Sequence, residues 1–236
     1  RDTEFWERFR DEVYIYRRVP EDITRYLKPP HSGICYAQCP NIYWSYANRT
    51  IAAESLPVLV FERAQNSCRY ESGGRHGIER VDEFHRIEPV YIGTREQLLK
   101  LRDAMIERYR HVFDNILEIE WRMAWVTPFY MQQAGEHGVE EGKEKGTIDF
   151  EAYMPYRGDR EHSKWLEFQN LSIVGDKYTK AFSIKTQKET LWSGCSGIGL
   201  ERWMAVFLAQ KGLNPENWPA GFRRYLSRIP EGTKFL

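Results

Sequence analysis

The sequence predicts an α+β fold in which an antiparallel sheet is flanked by helices. Short runs of β-branched and aromatic residues follow one another across glycine-containing turns, as they do in hairpins. Stretches with helical spacing follow groups of strands and do not alternate with single strands, which argues against a parallel sheet. Of the 236 residues, 42% are hydrophobic, so the chain can bury a sizeable core.

The first predicted element is a helix within residues 1–30. Apolar side chains recur there at helical spacing before Pro20, namely Phe5, Phe9, Val13 and Tyr16. Pro29 and Pro30 stop regular structure, so we expect a loop to follow the helix.

A long hairpin is predicted next. Residues 58–61 form a β-rich run that leads on to residues 68–71, and residues 72–77 form a glycine-rich turn. Residues 80–92 then return as the second strand. Pro89 indicates that the far end of this hairpin is irregular or lies at a sheet edge.

The second half of the chain is predicted to contain two helices and three strands. Thr94 and Gln97 form a capping-box pattern, and apolar residues keep helical spacing from there to Ile116. Residues 128–145 are polar and contain glycines, so they form either a surface loop or a small helical insertion. The remaining predicted elements are strands at 165–174, 179–185 and 191–196, with a turn at 175–176, and a helix at 200–211.

Charge and cysteine content exclude several classes of protein. The 34 basic residues balance the 34 acidic ones, so no overall field attracts nucleic acid or an anionic membrane. No run approaches the ~18 apolar residues of a membrane span, and the first residues lack the apolar centre of a signal peptide. We therefore expect a cytoplasmic protein whose four cysteines are thiols or metal ligands.

Common nucleotide and nucleophile motifs do not fit. Residues 197–202 suggest a dinucleotide motif, but Arg202 stands where the third glycine belongs and no βαβ unit surrounds it. Residues 194–197 lack the spacing of a nucleophile elbow, and the sequence contains no GxxxxGK[ST] loop.

The predicted hairpin carries arginines with an aromatic residue beside them: Arg69, Arg75, Arg80, Arg86 and Phe84. Arginine forks can hold phosphate oxygens, and an aromatic ring can stack on a base. The same arginines could instead pair with cross-strand acids such as Glu71 and Glu88. Both interpretations stay open from the residue types alone.

Two stretches resemble a known family. Residues 68–71 and 77–88 resemble motif 2 of the class II aminoacyl-tRNA synthetases, and of the seryl group in particular. Residues 196–203, continuing into 207–212, resemble motif 3 of the same enzymes. The resemblance implies that residues 1–236 are a class II catalytic domain. It also implies a fragment that lacks the N-terminal tRNA-binding domain and much of motif 1.

The cysteines sharpen this resemblance. Cys39, Glu88 and Cys195 fall where the methanogen-type (type 2) seryl-tRNA synthetases place the three protein ligands of an active-site zinc. Three ligands leave the fourth tetrahedral position open. From the residues alone, Cys35 and Cys39 could instead form a structural zinc site with Cys68, or all four cysteines could be buried thiols.

The resemblance implies roles for individual residues. Arg69 and Arg202 are the expected catalytic residues, and Arg69 would hold both the ATP α-phosphate and the serine carboxylate. The expected ATP-binding residues are Arg69, Glu71, Arg80, Val81, Phe84, Arg86, Glu88, Glu167 and Arg202, with magnesium held through Glu167. The expected serine-binding residues are Ala37, Arg69 and Asn170. Segment 128–145 matches in place a helical insertion that closes over the family's pocket.

The implied reaction is activation of L-serine by ATP and transfer of the seryl group to tRNA(Ser), with tRNA(Sec) as a second candidate acceptor. The family enzyme is a homodimer with one zinc per subunit, which binds the amino group of serine. Three rivals stay open: an amino acid:carrier-protein ligase, a non-catalytic nucleotide-binding paralogue and a zinc hydrolase. His76 and His85 are either structural or proton-shuttling residues.

Overall fold

A computed structural model of the chain describes residues 37–68, 75–127, 144–187 and 189–227. They form one antiparallel sheet with helices packed against it, which confirms the predicted α+β class. The strands are β1 (Val58–Cys68), β2 (Glu83–Gly93), β3 (Trp121–Val126), β4 (Gly146–Ala152), β5 (Leu166–Gly175), β6 (Trp192–Cys195) and β7 (Ile198–Gly199). The α-helices are α1 (Cys39–Ser45), α2 (Arg95–His111), α3 (Lys177–Ala181), α4 (Leu200–Lys211) and α5 (Ala220–Arg223).

The strand order is β1-β2-β6-β5-β4-β3, and the short β7 pairs with both β2 and β5. Strands β6 and β7 therefore lie one after the other between β2 and β5. Short 3-10 turns at Ala53–Ser55, Pro155–Arg157 and Pro215–Asn217 complete the described elements. None of the described helices is long and apolar enough to cross a membrane.

The predicted hairpin is present as β1 and β2, which pair from Val58 and Ile92 at one end to Cys68 and Glu83 at the other. The returning strand begins at Glu83 and not at residue 80, because residues 76–80 form a turn closed by backbone hydrogen bonds.

Pro89 does not mark a sheet edge, so that part of the prediction is wrong. Strand β2 lies inside the sheet, between β1 and the β6–β7 pair. The carbonyl of Pro89 accepts from the amide of Ser196, so the proline nitrogen faces the same side, where β6 ends and β7 begins. The missing N–H is tolerated because the partner strand is interrupted at this point.

Helix α2 begins as the sequence predicts. Thr94 Oγ1 accepts from the Gln97 amide at 3.3 Å, and Gln97 Oε1 accepts from the Thr94 amide at 2.9 Å, which together form a capping box. The helix continues to His111 and then widens into a π-helical turn at Val112–Leu117. Its predicted end at Ile116 lies within this turn.

The helices α2 and α4 cover one face of the sheet, and Phe113 lies at the centre of that core. Its fully buried ring contacts Phe150, Phe168 and Trp203 at centroid distances of 5.6, 5.1 and 5.6 Å. A second apolar cluster, made of Cys39, Tyr43, Ile51, Val90, Ile92, Ile184 and Leu191, involves α1 and strand β2. Alternation along β2 separates the two clusters, because Val90 and Ile92 belong to the second and Tyr91 to the first.

One further prediction is wrong, and several elements were either not predicted or lie outside the described residues. Residues 179–185 are not a strand, since α3 occupies the first part of this stretch. Thr179 Oγ1 donates to the carbonyl of Leu191 at 2.6 Å, and this tertiary contact holds the helix in place. Strands β3 and β4 and helix α1 were not predicted. The predicted helix in 1–30 and most of segment 128–145 lie outside the described residues.

Candidate active site

An open cleft lies between the turn of the β1–β2 hairpin, strand β5 and the start of α4. It encloses about 580 Å³ of empty space, the solvent at its mouth included. The lining residues are Ile78, Glu79, Arg80, Val81, Phe84, Arg86, Glu167, Phe168, Asn170, Gly197, Gly199, Glu201 and Arg202. Seven of the expected ATP- and serine-binding residues therefore line one cleft.

Arg202 is held by two sides of this cleft. It lies in the first turn of α4, and its Nε donates to the carbonyl of Glu79 in the hairpin turn at 2.9 Å. Its Nη1 donates to the carbonyl of Glu167 at 3.0 Å and to the carboxylate of the same residue at 2.9 Å. These contacts orient a planar cation at the cleft wall, which suits a phosphate group or a nucleobase ring.

Glu79 is the buried residue of the hairpin turn. Its side chain is 6% exposed, and its carboxylate pairs with Arg157 and accepts from His76 Nδ1 at 2.9 Å. Sequence reasoning missed Glu79, because a carboxylate in a polar loop carries no signal of burial. Its partner Arg157 lies in the distant 3-10 turn between β4 and β5.

The histidines of the hairpin are engaged by carboxylates. His85 offers its backbone amide and its Nδ1 to Glu201, at 3.0 and 2.7 Å, and this contact ties β2 to the start of α4. The Nδ1 of His76 contacts the Glu79 carboxylate at 2.9 Å. The geometry favours the structural interpretation of both histidines.

Asn170 is fixed by the chain that precedes α4. Its side-chain Oδ1 accepts from the backbone N–H of Gly197 at 3.0 Å. Its backbone N–H donates to the Gly197 carbonyl at 3.1 Å. Ser196 Oγ donates to the Asn170 carbonyl at 2.6 Å. The strand that carries Glu167 and Asn170 is thereby locked to the start of the helix that carries Arg202.

A cluster of three potential metal ligands lies next to the cleft. One ligand atom from each of Cys39, Glu88 and Cys195 lies within 4.8 Å of the others. The residues come from α1, β2 and β6, so the tertiary fold alone brings them together. Glu88 is fully buried, and its Oε2 has no hydrogen-bond partner within the described residues.

The surroundings of Cys195 disfavour its charged thiolate form. A hydrogen bond with Cys39 and burial raise the pKa of the Cys195 thiol well above its ordinary value, and Glu88 adds to the rise. Such a site disfavours thiolates unless positive charge is brought in. Two sulfurs and one carboxylate, whose Oε2 is buried without a hydrogen-bond partner in the described residues, are a donor set that suits zinc.

The alternative zinc site built from Cys35, Cys39 and Cys68 receives no support. Among the described residues, the group of potential ligands that contains Cys39 is completed by Glu88 and Cys195 and does not include Cys68. Cys35 lies outside the described residues.

Four of the expected ATP- and serine-binding residues are not placed in the cleft by the structure. Glu88 is one of them, and it lies in the metal-ligand cluster. Arg69 and Glu71 lie outside the described residues. Ala37 is described, two residues before Cys39, but it is not among the residues that line the cleft. The roles expected of these residues stay predictions.

Comparisons with known proteins show the family and the fold. A family model described as "tRNA synthetase class II core domain (G, H, P, S and T)" matches residues 30–211. The chain is 51% identical over its whole length to the type-2 serine–tRNA ligase of Methanothrix thermoacetophila and 50% identical to that of Methanococcoides burtonii. It covers 47% of each, so it spans about half the length of these curated relatives.

Solved structures show the same fold. The M. kandleri SerRS, in a crystal structure in complex with A. aeolicus tRNASec, matches 94% of this chain with a TM-score of 0.75 and 29% identity. This chain covers 43% of that protein. Giardia lamblia prolyl-tRNA synthetase, in complex with prolyl-adenylate, matches 74% of the chain at 14% identity and a TM-score of 0.59. The chain covers 33% of that enzyme, and the likeness extends to the fold alone.

Proposed function

The chain belongs to the family of class II tRNA synthetase core domains, and from that premise we propose that it is the catalytic part of a zinc-dependent serine–tRNA ligase. In this proposal it activates L-serine with ATP to seryl-adenylate and transfers the seryl group to tRNA(Ser). The observation that carries the proposal is the Cys39–Glu88–Cys195 cluster, in which Cys39 and Glu88 are buried and Cys195 is half-buried, beside an arginine-lined cleft. The similarity to type-2 serine–tRNA ligases supports it.

The cleft would hold ATP. Arg80 and Arg202 line it and supply positive charge for phosphate oxygens, while Phe84 offers a ring on which adenine can stack. Glu167 would bind magnesium together with the phosphates, since this ion prefers carboxylate and phosphate oxygens. Arg69 would hold the α-phosphate and Glu71 the adenine edge, as the family resemblance implies.

The metal cluster would recognise serine. When bound by Cys39, Glu88 and Cys195, zinc supplies a Lewis-acid site for the amino group of a free amino acid. Asn170 lines the cleft and would contact the substrate. Ala37 would do so as well, and it lies two residues before Cys39 in the chain. A tight wall around the side chain would exclude threonine, and an extra methyl group is worth about 1–3 kcal/mol in such a pocket.

The proposal extends to the partners of the enzyme. The M. kandleri SerRS structure contains tRNASec, so we include tRNA(Sec) as a second candidate acceptor. We also propose a cytoplasmic homodimer, as the family resemblance implies.

Amino-acid-dependent exchange of pyrophosphate into ATP tests the activation step. Serine, threonine, alanine and glycine are compared with the same purified protein. We expect exchange with serine and little with the other three. Preferred exchange with alanine or glycine would favour the carrier-protein ligase, and no exchange with any amino acid would contradict the enzyme proposal.

A further inference from the structure

Arg86 lies on the same strand and the same face as one of the metal-ligand residues. It is two residues before Glu88 on β2, and side chains at i and i+2 of a strand point to the same side. Its Nη2 lies 3.3 Å from Glu88 Oε1, and its side chain is 13% exposed. The family resemblance assigns Arg86 to the ATP phosphates, whereas the structure directs its guanidinium to Glu88.

The contact with Arg86 makes the two carboxylate oxygens of Glu88 inequivalent. Oε1 accepts from Arg86, while Oε2 is buried without a hydrogen-bond partner in the described part of the chain. A carboxylate with both oxygens unbound could turn and bind an ion through either or both. With Oε1 held, Oε2 is the oxygen left available to bind an ion.

The positive charge of Arg86 also suits a role in the ligand set of the metal. Two thiolates and one carboxylate bring three negative charges, whereas a zinc ion brings two positive ones. An arginine guanidinium stays charged in proteins. Arg86 can therefore neutralise the third negative charge in a place where water is scarce.

Gly197 provides the space that Arg86 occupies. A Cβ at Gly197 would lie 2.3 Å from Nη2 of Arg86 and 3.0 Å from its Cζ. Any side chain at this position would displace the guanidinium. A glycine in the motif 3 stretch thus leaves room for an arginine in the motif 2 stretch.

We propose that Arg86 is a positioning residue for the metal centre: it fixes Glu88 with Oε2 directed to the ion and balances the charge of the ligand set. This inference rests on the proposed function, because it takes the Cys39–Glu88–Cys195 cluster to be a zinc site. Arg86 acts through Glu88 and needs no contact with the ion.

Zinc affinity, measured by chelator competition on the purified protein without ATP, tests the role directly. Loss of a residue that orients a metal ligand costs about 10–100-fold in metal affinity, and we expect that loss for Arg86→Ala. Arg86→Gln should lose nearly as much because it lacks the charge, and Arg86→Lys should lose less. Arg202→Ala is the matched control, since it removes a cleft arginine whose contacts are with Glu79 and Glu167, and it should keep the zinc affinity.

Gly197→Ala provides an independent test in a protein that retains Arg86. The added methyl group should displace the guanidinium and weaken zinc binding. In the Arg86→Ala background the same change should cost nothing further, because both variants act through one group. Melting temperatures establish that each variant is folded.

Two results would overturn the inference, and they have different consequences for the proposed function. Tight zinc binding by Arg86→Ala and Arg86→Gln would show that Arg86 does not position the ligand, while the proposed function would stand. Failure of the unaltered protein to bind zinc would remove the metal site itself and the inference with it.

Discussion

Tyr109 connects the core of the molecule to the wall of the cleft. Its hydroxyl donates to Ser196 Oγ at 2.9 Å, and Ser196 Oγ in turn donates to the Asn170 carbonyl at 2.6 Å. Burial raises the pKa of Tyr109 to about 12, and the hydrogen bond to Ser196 opposes part of that rise. The phenol is therefore a neutral donor at physiological pH, and helix α2 supports a residue that lines the site.

Replacing Tyr109 by Phe should lower the free energy of unfolding by about 1 kcal/mol at pH 7, because one buried hydrogen bond is lost. The folded-state pKa lies above the ordinary value of 10.0, so the phenol stabilises the fold below pH 10 and this contribution is lost as pH rises toward 12. The difference between the two proteins should shrink over that range in urea unfolding. Tyr156→Phe is the control, since Tyr156 is 58% exposed. A difference that grows above pH 10 would refute this assignment.

The sequence predicted those site residues whose chemical type follows from the motifs or from the family resemblance. Phe84 and Arg202 were expected from the motif 2 and motif 3 stretches, Glu167 and Asn170 from the family resemblance, and all four line one cleft. Glu79 was not expected, because its burial depends on Arg157, which is far away in the chain. For the hairpin arginines, Glu88 was considered only as a cross-strand partner, whereas its contact with Arg86 lies within one strand. Spacing cannot show which partner a charged residue takes.

At the scale of elements, the confirmed predictions are those for elements with a clear signal in their own sequence. The β1–β2 hairpin, α2 and α4 carry turn residues, a capping box or helical periodicity within their own sequence. Helix α3 carries β-branched and aromatic residues that resemble a strand, and contacts from Thr179 to Leu191 and from Lys180 to Asp176 override them. A tertiary contact also holds the described part of the hairpin turn, where Glu79 pairs with Arg157.

The Glu79–Arg157 pair predicts an effect on ATP binding, because the turn that it anchors lines the cleft. We expect Glu79→Gln to raise the KM for ATP in pyrophosphate exchange by about tenfold, equivalent to about 1.4 kcal/mol, with a smaller change in kcat. Glu151→Gln makes the same chemical change in a carboxylate that pairs with Arg122 on β3, and it should leave the KM unchanged. A lower melting temperature with an unaltered KM would mean that the pair supports the fold and not the cleft.

At the scale of the whole molecule, the apolar residues that the structure describes form two clusters. One face of the sheet packs Phe113 and its neighbours under α2 and α4, while the metal cluster lies with the second apolar cluster around α1. The sequence indicated the α+β class but not the strand order. Pairs such as β2 with β6 join residues about a hundred positions apart, and tertiary packing selects them.

We propose that Cys39, Glu88 and Cys195 hold a zinc ion that serine activation needs. The most direct measurement is serine-dependent pyrophosphate exchange after chelation and again after zinc is restored, in the unaltered protein and in Cys39→Ser and Cys68→Ser variants. We expect exchange to be lost on chelation and to return with zinc in the unaltered protein and in Cys68→Ser, and to fail in Cys39→Ser. Full exchange by the chelated protein, or by Cys39→Ser, would contradict this proposal.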